Sequence, residues 1–138
     1  MEDIIRKKAI DIVSNSETTV LSSINEGGYP RAVTMSNIKT EGIETIWFAT
    51  GKNSAKVKHY EKNNKAGVCY KDGGNGITLV GSVQIVDDMN IKKALWLDWF
   101  IDHFPGGMTD PNYCVLKFDT KQGVLWIDNV FEEFSING

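Results

Sequence analysis

The residues best placed to do chemistry lie between Thr50 and Lys56, where Thr-Gly-Lys-Asn-Ser-Ala-Lys sets two hydroxyls and two ammonium groups within seven positions. The flanking patterns predict a strand ending at Thr50 and a helix starting near Ser54. Such a junction exposes unpaired backbone N–H groups and the positive end of the helix dipole, so the segment suits a phosphate dianion. The same residues also suit an ordinary helix start, with Asn53 or Ser54 as cap and Lys52 and Lys56 in solvent. A second cation bears on that choice. Arg31, one of only two arginines in the chain, opens a strand directly after Gly28-Tyr29-Pro30, next in a meander to the strand that delivers Thr50. There it is either a bidentate phosphate ligand or an exposed edge-strand arginine.

The elements that must carry these groups follow from residue periodicity. Residues 4 to 13 place Ile5, Ala9, Ile12 and Val13 on one face, which predicts an N-terminal amphipathic helix capping one end of a core. Thr19 to Ile24 and Arg31 to Ile38 read as a hairpin around the turn Glu26-Gly27-Gly28. Thr40-Glu41-Gly42 reads as a turn before a third strand, Ile43 to Thr50. Ser54 to Asn63 is a short helix with Val57 and Tyr60 in register. Ala66 to Tyr70 is a strand, 72 to 76 a glycine-rich loop, and Ile77 to Val86 a long strand in which Gly81 predicts a bend or bulge. Asn90 to Phe104 reads as another amphipathic helix, rich in aromatics and ended by Pro105-Gly106-Gly107. Tyr113 to Asp119 and Gly123 to Ile127 then form a closing hairpin.

About six strands at short spacing with few helices between them predict a mainly β fold with helices: a six-stranded, antiparallel, partly closed barrel. Parallel connections would need a helix between nearly every strand pair. No repeat, linker or low-complexity segment divides the chain, so residues 1–138 are expected to form a single domain.

The composition is that of a globular protein, 41% apolar and 24% charged over 138 residues, with no apolar run approaching the roughly 20 residues of a bilayer-spanning helix. Acidic residues flank the basic cluster of the N-terminal stretch, which does not read as a secretory signal; a cytoplasmic location is expected. A net charge of −3 without a basic stripe lacks the footprint of a nucleic-acid binder. Cys69 and Cys114 fall in strand-like runs and are expected to be small buried hydrophobes with free thiols. His59 falls on the exposed side of its helix and His103 precedes a Pro-Gly-Gly loop. Both read as structural or solvated, and neither shares a metal-ligand spacing with a cysteine.

Taken in order, Gly28-Tyr29-Pro30-Arg31-Ala32-Val33-Thr34-Met35, Trp47-Phe48-Ala49-Thr50, Ser54-x-Lys56, and Val80-Gly81-Ser82-Val83 followed by Asp87-Asp88 resemble the pyridoxamine phosphate oxidase superfamily of FMN-binding split barrels, specifically its short general stress protein type. The resemblance spans nearly the whole chain. It implies that Arg31 and Lys56 bind the FMN phosphate, that Thr50 and Ser54 donate hydrogen bonds to it, and that the strand Ala32, Val33, Thr34, Met35 lies against the isoalloxazine ring, with Ala49 beside Thr50. It also implies a homodimer with flavin sites at the interface. Trp96, Trp99, Phe100 and Trp126 suit such an interface, although Trp96 reads first as a core residue; Trp126 either approaches the neighbouring subunit's flavin or packs in a core.

Two departures shape the expected activity. The family's serine-arginine-lysine run has Ala55 at its centre here, leaving one cation fewer for the phosphate. Past His103 the chain has neither arginine nor histidine, and Glu132-Glu133 near its end would repel a phosphorylated substrate. Oxidation of pyridoxamine phosphate is therefore expected to be absent or very slow. No general acid or base stands out, so the catalytic residues stay unassigned. The leading expectation is an FMN-dependent oxidoreductase fed by a reduced nicotinamide donor, where the flavin supplies the redox chemistry and the protein supplies position. The alternative is a module that binds flavin, a deazaflavin or haem without turnover.

Overall fold

The computed structural model describes residues 3–136. In chain order these form α1 (Asp3–Asn15), β1 (Thr18–Ile24), β2 (Pro30–Ser36), β3 (Lys39–Glu41), β4 (Thr45–Gly51), α2 (Ala55–Lys62), β5 (Lys65–Asp72), β6 (Asn75–Val86), α3 (Met89–Leu95), β7 (Tyr113–Ile127) and β8 (Val130–Ser135). Two short 3-10 turns, Asp98–Asp102 and Gly107–Thr109, lie between α3 and β7. Among the described residues no helix is long and apolar enough to cross a membrane.

Alternating side chains decide how the sheet curls. Leu21 on β1, Val68 on β5, Leu79 on β6, Phe118 on β7 and Ile46 on β4 all point inward and meet in one buried cluster, while their neighbours in sequence face out. The strand order is β2-β1-β5-β6-β7-β4-β3, with β8 also on β7, and every pairing is antiparallel. β7 organises this arrangement. One edge of it runs along β6; the other takes β4 over Tyr113–Asp119 and β8 over Gln122–Ile127. β2 pairs only with β1, so the barrel stays split between β2 and β4. Ile5, Ala9 and Val13 of α1 and Val57 and Tyr60 of α2 complete the core.

The expected fold class holds, and the expected bulge lies at Gly81. Val80 pairs with Gln122 but Gly81 with Thr120, so Lys121 is the extra residue that reverses the alternation along β7. A Cβ on Gly81 would collide with the Asp119 carbonyl oxygen, which leaves glycine as the residue that fits.

Several boundaries differ from the sequence reading. Eight strands form rather than six: β3 includes Thr40 and Glu41, which read as a turn, and β8 was not expected. The supposed hairpin from Tyr113 to Ile127 is a single strand of 15 residues. Gly123 is no turn residue; a Cβ there would meet the Phe134 ring at 2.7 Å, so its missing side chain makes room for β8. The helix expected over Asn90–Phe104 stops at Leu95, because Trp96 and Leu97 are extended (ψ 131° and 146°) before the 3-10 turn. Cys114 is buried, but Cys69 is exposed, since the inward positions of β5 are Ala66, Val68 and Tyr70. Lys92, of ordinary surface type, is buried at 6% exposure, with its ammonium 5.2 Å from the centre of the Tyr113 ring.

Candidate functional site

The Thr50–Lys56 segment folds as expected, into a strand end, a turn and a helix start. The turn is closed by Ser54 N donating to Gly51 O at 3.0 Å and anchored by Lys52 N donating to Asn112 O at 2.8 Å. Ser54 takes the N-cap position of α2 with extended backbone (φ −67°, ψ 154°), yet its hydroxyl makes no capping bond. The first-turn N–H groups of α2 and the Ser54 hydroxyl are thus both left without the usual side-chain cap.

Lys56 Nζ donates to Thr50 Oγ1 at 2.8 Å, and Thr50 Oγ1 donates to Ser54 Oγ at 3.5 Å. Burial, and after it the positive charge of Arg31, hold the Lys56 ammonium below its usual pKa, against a smaller opposite pull from Cys114. Arg31 and Lys56, carried by different elements, thus add like charge to one region of the molecule. Among the described residues neither forms an ion pair with a carboxylate. Like charge without a counter-ion costs free energy that a bound anion would offset. Arg31, Thr50, Ser54 and Lys56 together form a donor set that fits a phosphate.

Next to this group a cleft of about 400 Å³ runs along the split of the barrel. Thr34, Met35 and Ser36 of β2 face Ala49, Thr50 and Gly51 of β4 across it, and Trp99, Phe100, His103 and Phe104 close the far side with Asn112. Thr50 links the two parts of the site, because it lines the cleft and also accepts the Lys56 bond. Met35 is half-buried against the core while Thr34 is exposed. β2, an edge strand along the split, leaves one row of backbone N–H and C=O groups unpaired there. Such a slot suits a flat heterocycle with a polar rim.

The sequence-expected residues divide accordingly. Arg31, Thr50, Ser54 and Lys56 gather at the cationic end; Thr34, Met35 and Ala49 line the cleft beside Thr50; Ala32 and Val33 connect the two along β2 without lining the cleft. Trp126 is not brought to the cleft. It stands on the outward face of β7, 42% exposed, beside the ring of Phe131 at 6.3 Å. His59, read as facing solvent, is half-buried and bonded through Nδ1 to Ser23 Oγ at 2.8 Å. His103, read as structural or solvated, lines the cleft, as do Trp99 and Asn112. The four-residue spacing of Trp99 and His103 on an aromatic segment was the available signal for them.

A larger groove of about 700 Å³ crosses the outward sheet face past Ser22, Gly67, Val80 and Gln122. None of Arg31, Thr50, Ser54 and Lys56 lines it.

Comparison with known proteins adds to this geometry. The family model described as "Pyridoxamine 5'-phosphate oxidase like" matches residues 5–135. No curated protein matches the sequence. Among solved structures, a protein from Clostridium acetobutylicum related to general stress protein 26 is 27% identical, with 99% of this chain and 97% of that one covered at a TM-score of 0.88. General stress protein 26 from Bacillus anthracis is 23% identical, with coverages of 94% and 98% and a TM-score of 0.78. A heme binding protein from Mycobacterium smegmatis shares the fold at 10% identity and a TM-score of 0.78, covering 98% of this chain and 59% of its own.

Proposed function

Because the chain belongs to the pyridoxamine 5'-phosphate oxidase like family, we propose that it binds FMN and acts as an FMN-dependent oxidoreductase on a small molecule. The observation that carries this reading is the Lys56 Nζ–Thr50 Oγ1–Ser54 Oγ chain at the start of α2, beside a cleft that Thr50 also lines, with Arg31 of β2 adding positive charge that Lys56 feels. In this reading Arg31 and Lys56 hold the phosphate, Thr50 and Ser54 hydrogen-bond to it, and the backbone of Ala32 to Met35 with Ala49 positions the ring. The bound flavin supplies two-electron chemistry; the chain supplies position, charge and exclusion of water. A reduced nicotinamide is the donor that suits such a site. Pyridoxamine phosphate itself does not suit this site, since no cation follows Lys121 and Glu132 and Glu133 stand where a phosphorylated substrate would be repelled.

The active unit in this reading is a homodimer. Two outward cross-strand rows, Thr34–Val20–Cys69–Thr78–Val124 and Ala32–Ser22–Gly67–Val80–Gln122, contain no charge from β2 to β7, and Glu133 of β8 adjoins the end of the first. Val20, Val80 and Trp126 are exposed on this face, and an uncharged patch of such extent favours coverage by a second copy. Trp126 would then approach the partner's flavin.

Thermal unfolding with added FMN tests the binding, because a ligand of the native state raises stability by mass action. A rise in Tm with FMN, and a flavin absorption band in the freshly purified protein, are expected; no shift at concentrations far above micromolar would sink the proposal. Turnover is tested by anaerobic mixing with NADH or NADPH, which should bleach that band. A flavin that stays oxidised favours a second reading, a binding module without turnover for flavin, deazaflavin or haem. His103, the one imidazole lining the cleft, is the observation behind its haem form.

A further inference from the structure

The segment between α3 and β7 takes no part in the phosphate-binding group, yet it supplies one whole wall of the cleft. Its rings are set edge to face. Trp99 meets Phe100 at 4.7 Å and 86°, and His103 at 5.8 Å and 85°. Buried Phe100 is held in turn by Trp96 at 5.4 Å and Tyr113 at 5.8 Å, and the Tyr113 hydroxyl donates to Lys92 O at 2.8 Å. Such a network fixes the wall as a surface. Trp99 nevertheless remains 45% exposed, a large ring with open area facing a cleft. No Asp, Glu, Lys or Arg lines that cleft; the cations lie beyond Thr50, at its other end.

This separation of charge from aromatic surface divides the recognition task. We infer that the Trp99–His103 wall is a subsite for an uncharged planar aromatic molecule of the quinone class, stacked on Trp99, with His103 and the Asn112 amide within the lining for its carbonyl oxygens. The inference rests on the FMN reading, in which Thr34, Met35 and Ala49 face the flavin ring and the aromatic wall faces the second ring. A charged substituent on that second ring would lose water and find no counter-charge, so the subsite discriminates against it.

Calorimetric titration of menadione into the FMN-loaded protein tests this, with FMN content per chain measured first. Trp99→Ala should weaken menadione binding about tenfold, the scale of a lost aromatic contact together with its buried area, and leave FMN content unchanged. Trp99→Phe should restore most of the affinity, and 1,4-naphthoquinone-2-sulfonate should bind the wild type more weakly than menadione. Equal menadione affinity in the wild type and Trp99→Ala overturns the inference, as does loss of FMN in step with loss of menadione, which would assign the wall to the flavin. If the wild type takes up no FMN, the flavin reading fails by itself. Menadione titrated into the ligand-free protein then decides the subsite: binding that depends on Trp99 upholds it, and absent or Trp99-independent binding overturns it.

Discussion

The inside of the barrel and the cluster outside it are built from different materials. Within the barrel, branched aliphatic side chains such as Ile46, Ile77, Leu79 and Leu116 interdigitate with Phe118, and none of them borders the cleft. On the outward side of β4, β6 and β7, the rings of Phe100, Phe104 and Tyr113 gather with Trp47, Val86 and Leu95 under the segment from Met89 to Asn112, and this cluster forms the cleft wall. The barrel is a sheet curled around one core, in which each inward side chain is fixed by neighbours on several strands. The outer cluster is covered by a 7-residue helix and two 3-10 turns, which make few backbone bonds to the sheet. The densest packing lies where no cleft opens, and the cleft wall is carried by a more weakly anchored element.

A matched pair of deletions tests that contrast most strongly. Phe118 and Phe100 are both buried, at 0% and 1% exposure, but one lies in each cluster. Phe118→Ala should lower unfolding free energy by about 3 to 5 kcal/mol, the usual cost of removing a core phenyl. Phe100→Ala should cost less in global unfolding, because the segment over it can open locally without the barrel, while hydrogen exchange rises from Trp96 to Phe104. Equal losses in denaturant melts with unchanged exchange would show one cooperative core and erase the distinction.

The second contrast sets the cationic group against ordinary surface charge. Arg31→Ala or Lys56→Ala should reduce FMN affinity about tenfold to a hundredfold, the equivalent of roughly 1.5 to 3 kcal/mol for a charge-assisted bond. Lys121→Ala, on an exposed residue, should change it little, as measured by fluorescence titration. Lys92 cannot serve as the surface control, since it is buried against Tyr113. Equal effects at Arg31, Lys56 and Lys121 would mean diffuse attraction and no built site.

How far these regions could be read from residues alone also differs. α1, the β1–β2 hairpin, the strand leading to Thr50 and the bulge at Gly81 were legible because each carries a local signal: a helical stripe, a Gly-Gly turn, a β-branched run, or a glycine inside a strand. The junction from Thr50 to Lys56 was legible for the same reason, through charge and hydroxyl spacing between a strand end and a helix start. β8 was missed although its turn was in view. Asp128 and Asn129 both take positive φ, 51° and 64°, as a two-residue hairpin loop of the inverted type requires, and Asn and Asp tolerate that region better than most residues. The break after Leu95 had no local signal, with neither glycine nor proline near it. Apolar residues on every side from Ile91 to Phe104 fit several helical registers, and only the packing of Trp96 on Phe100 and Tyr113 selects the bent path. The cleft wall was hidden for that reason.

In the FMN reading, Lys56 couples ligand affinity to stability through its protonation. Its pKa is lowered from 10.5, by burial first and then by Arg31. Below the lowered value the lysine is charged in folded and unfolded chains alike, and the folded state bears the full penalty. As pH rises through that value towards 10.5 the unfolded chain binds more protons, so this group's contribution makes the ligand-free protein more stable. A bound phosphate dianion favours the charged lysine, so FMN affinity should fall over the same interval. Lys56→Met should remove both slopes, raising ligand-free stability at neutral pH while weakening FMN. Tm against pH for both proteins, with and without FMN, measures this; parallel curves would separate Lys56 from the site.

The smallest effect concerns the joint between the two clusters. Tyr113 begins β7, pairs with Gly51 at the end of β4, and donates its hydroxyl to Lys92 O at 2.8 Å, so a single bond ties α3 to the strand beneath it. Burial, and then Cys114, push this phenol up to about 12, so it remains a neutral donor across the physiological range. Tyr113→Phe keeps the ring that Trp96, Phe100 and Phe104 pack on and removes only the bond. It leaves the Lys92 carbonyl short of a partner at a cost of about 1 kcal/mol. If the outer cluster opens on its own, that loss should appear as faster exchange over Met89–Phe104 with the global denaturation midpoint nearly unchanged. A midpoint shift with no local change in exchange would instead place the Tyr113 hydroxyl within the cooperative core of the barrel.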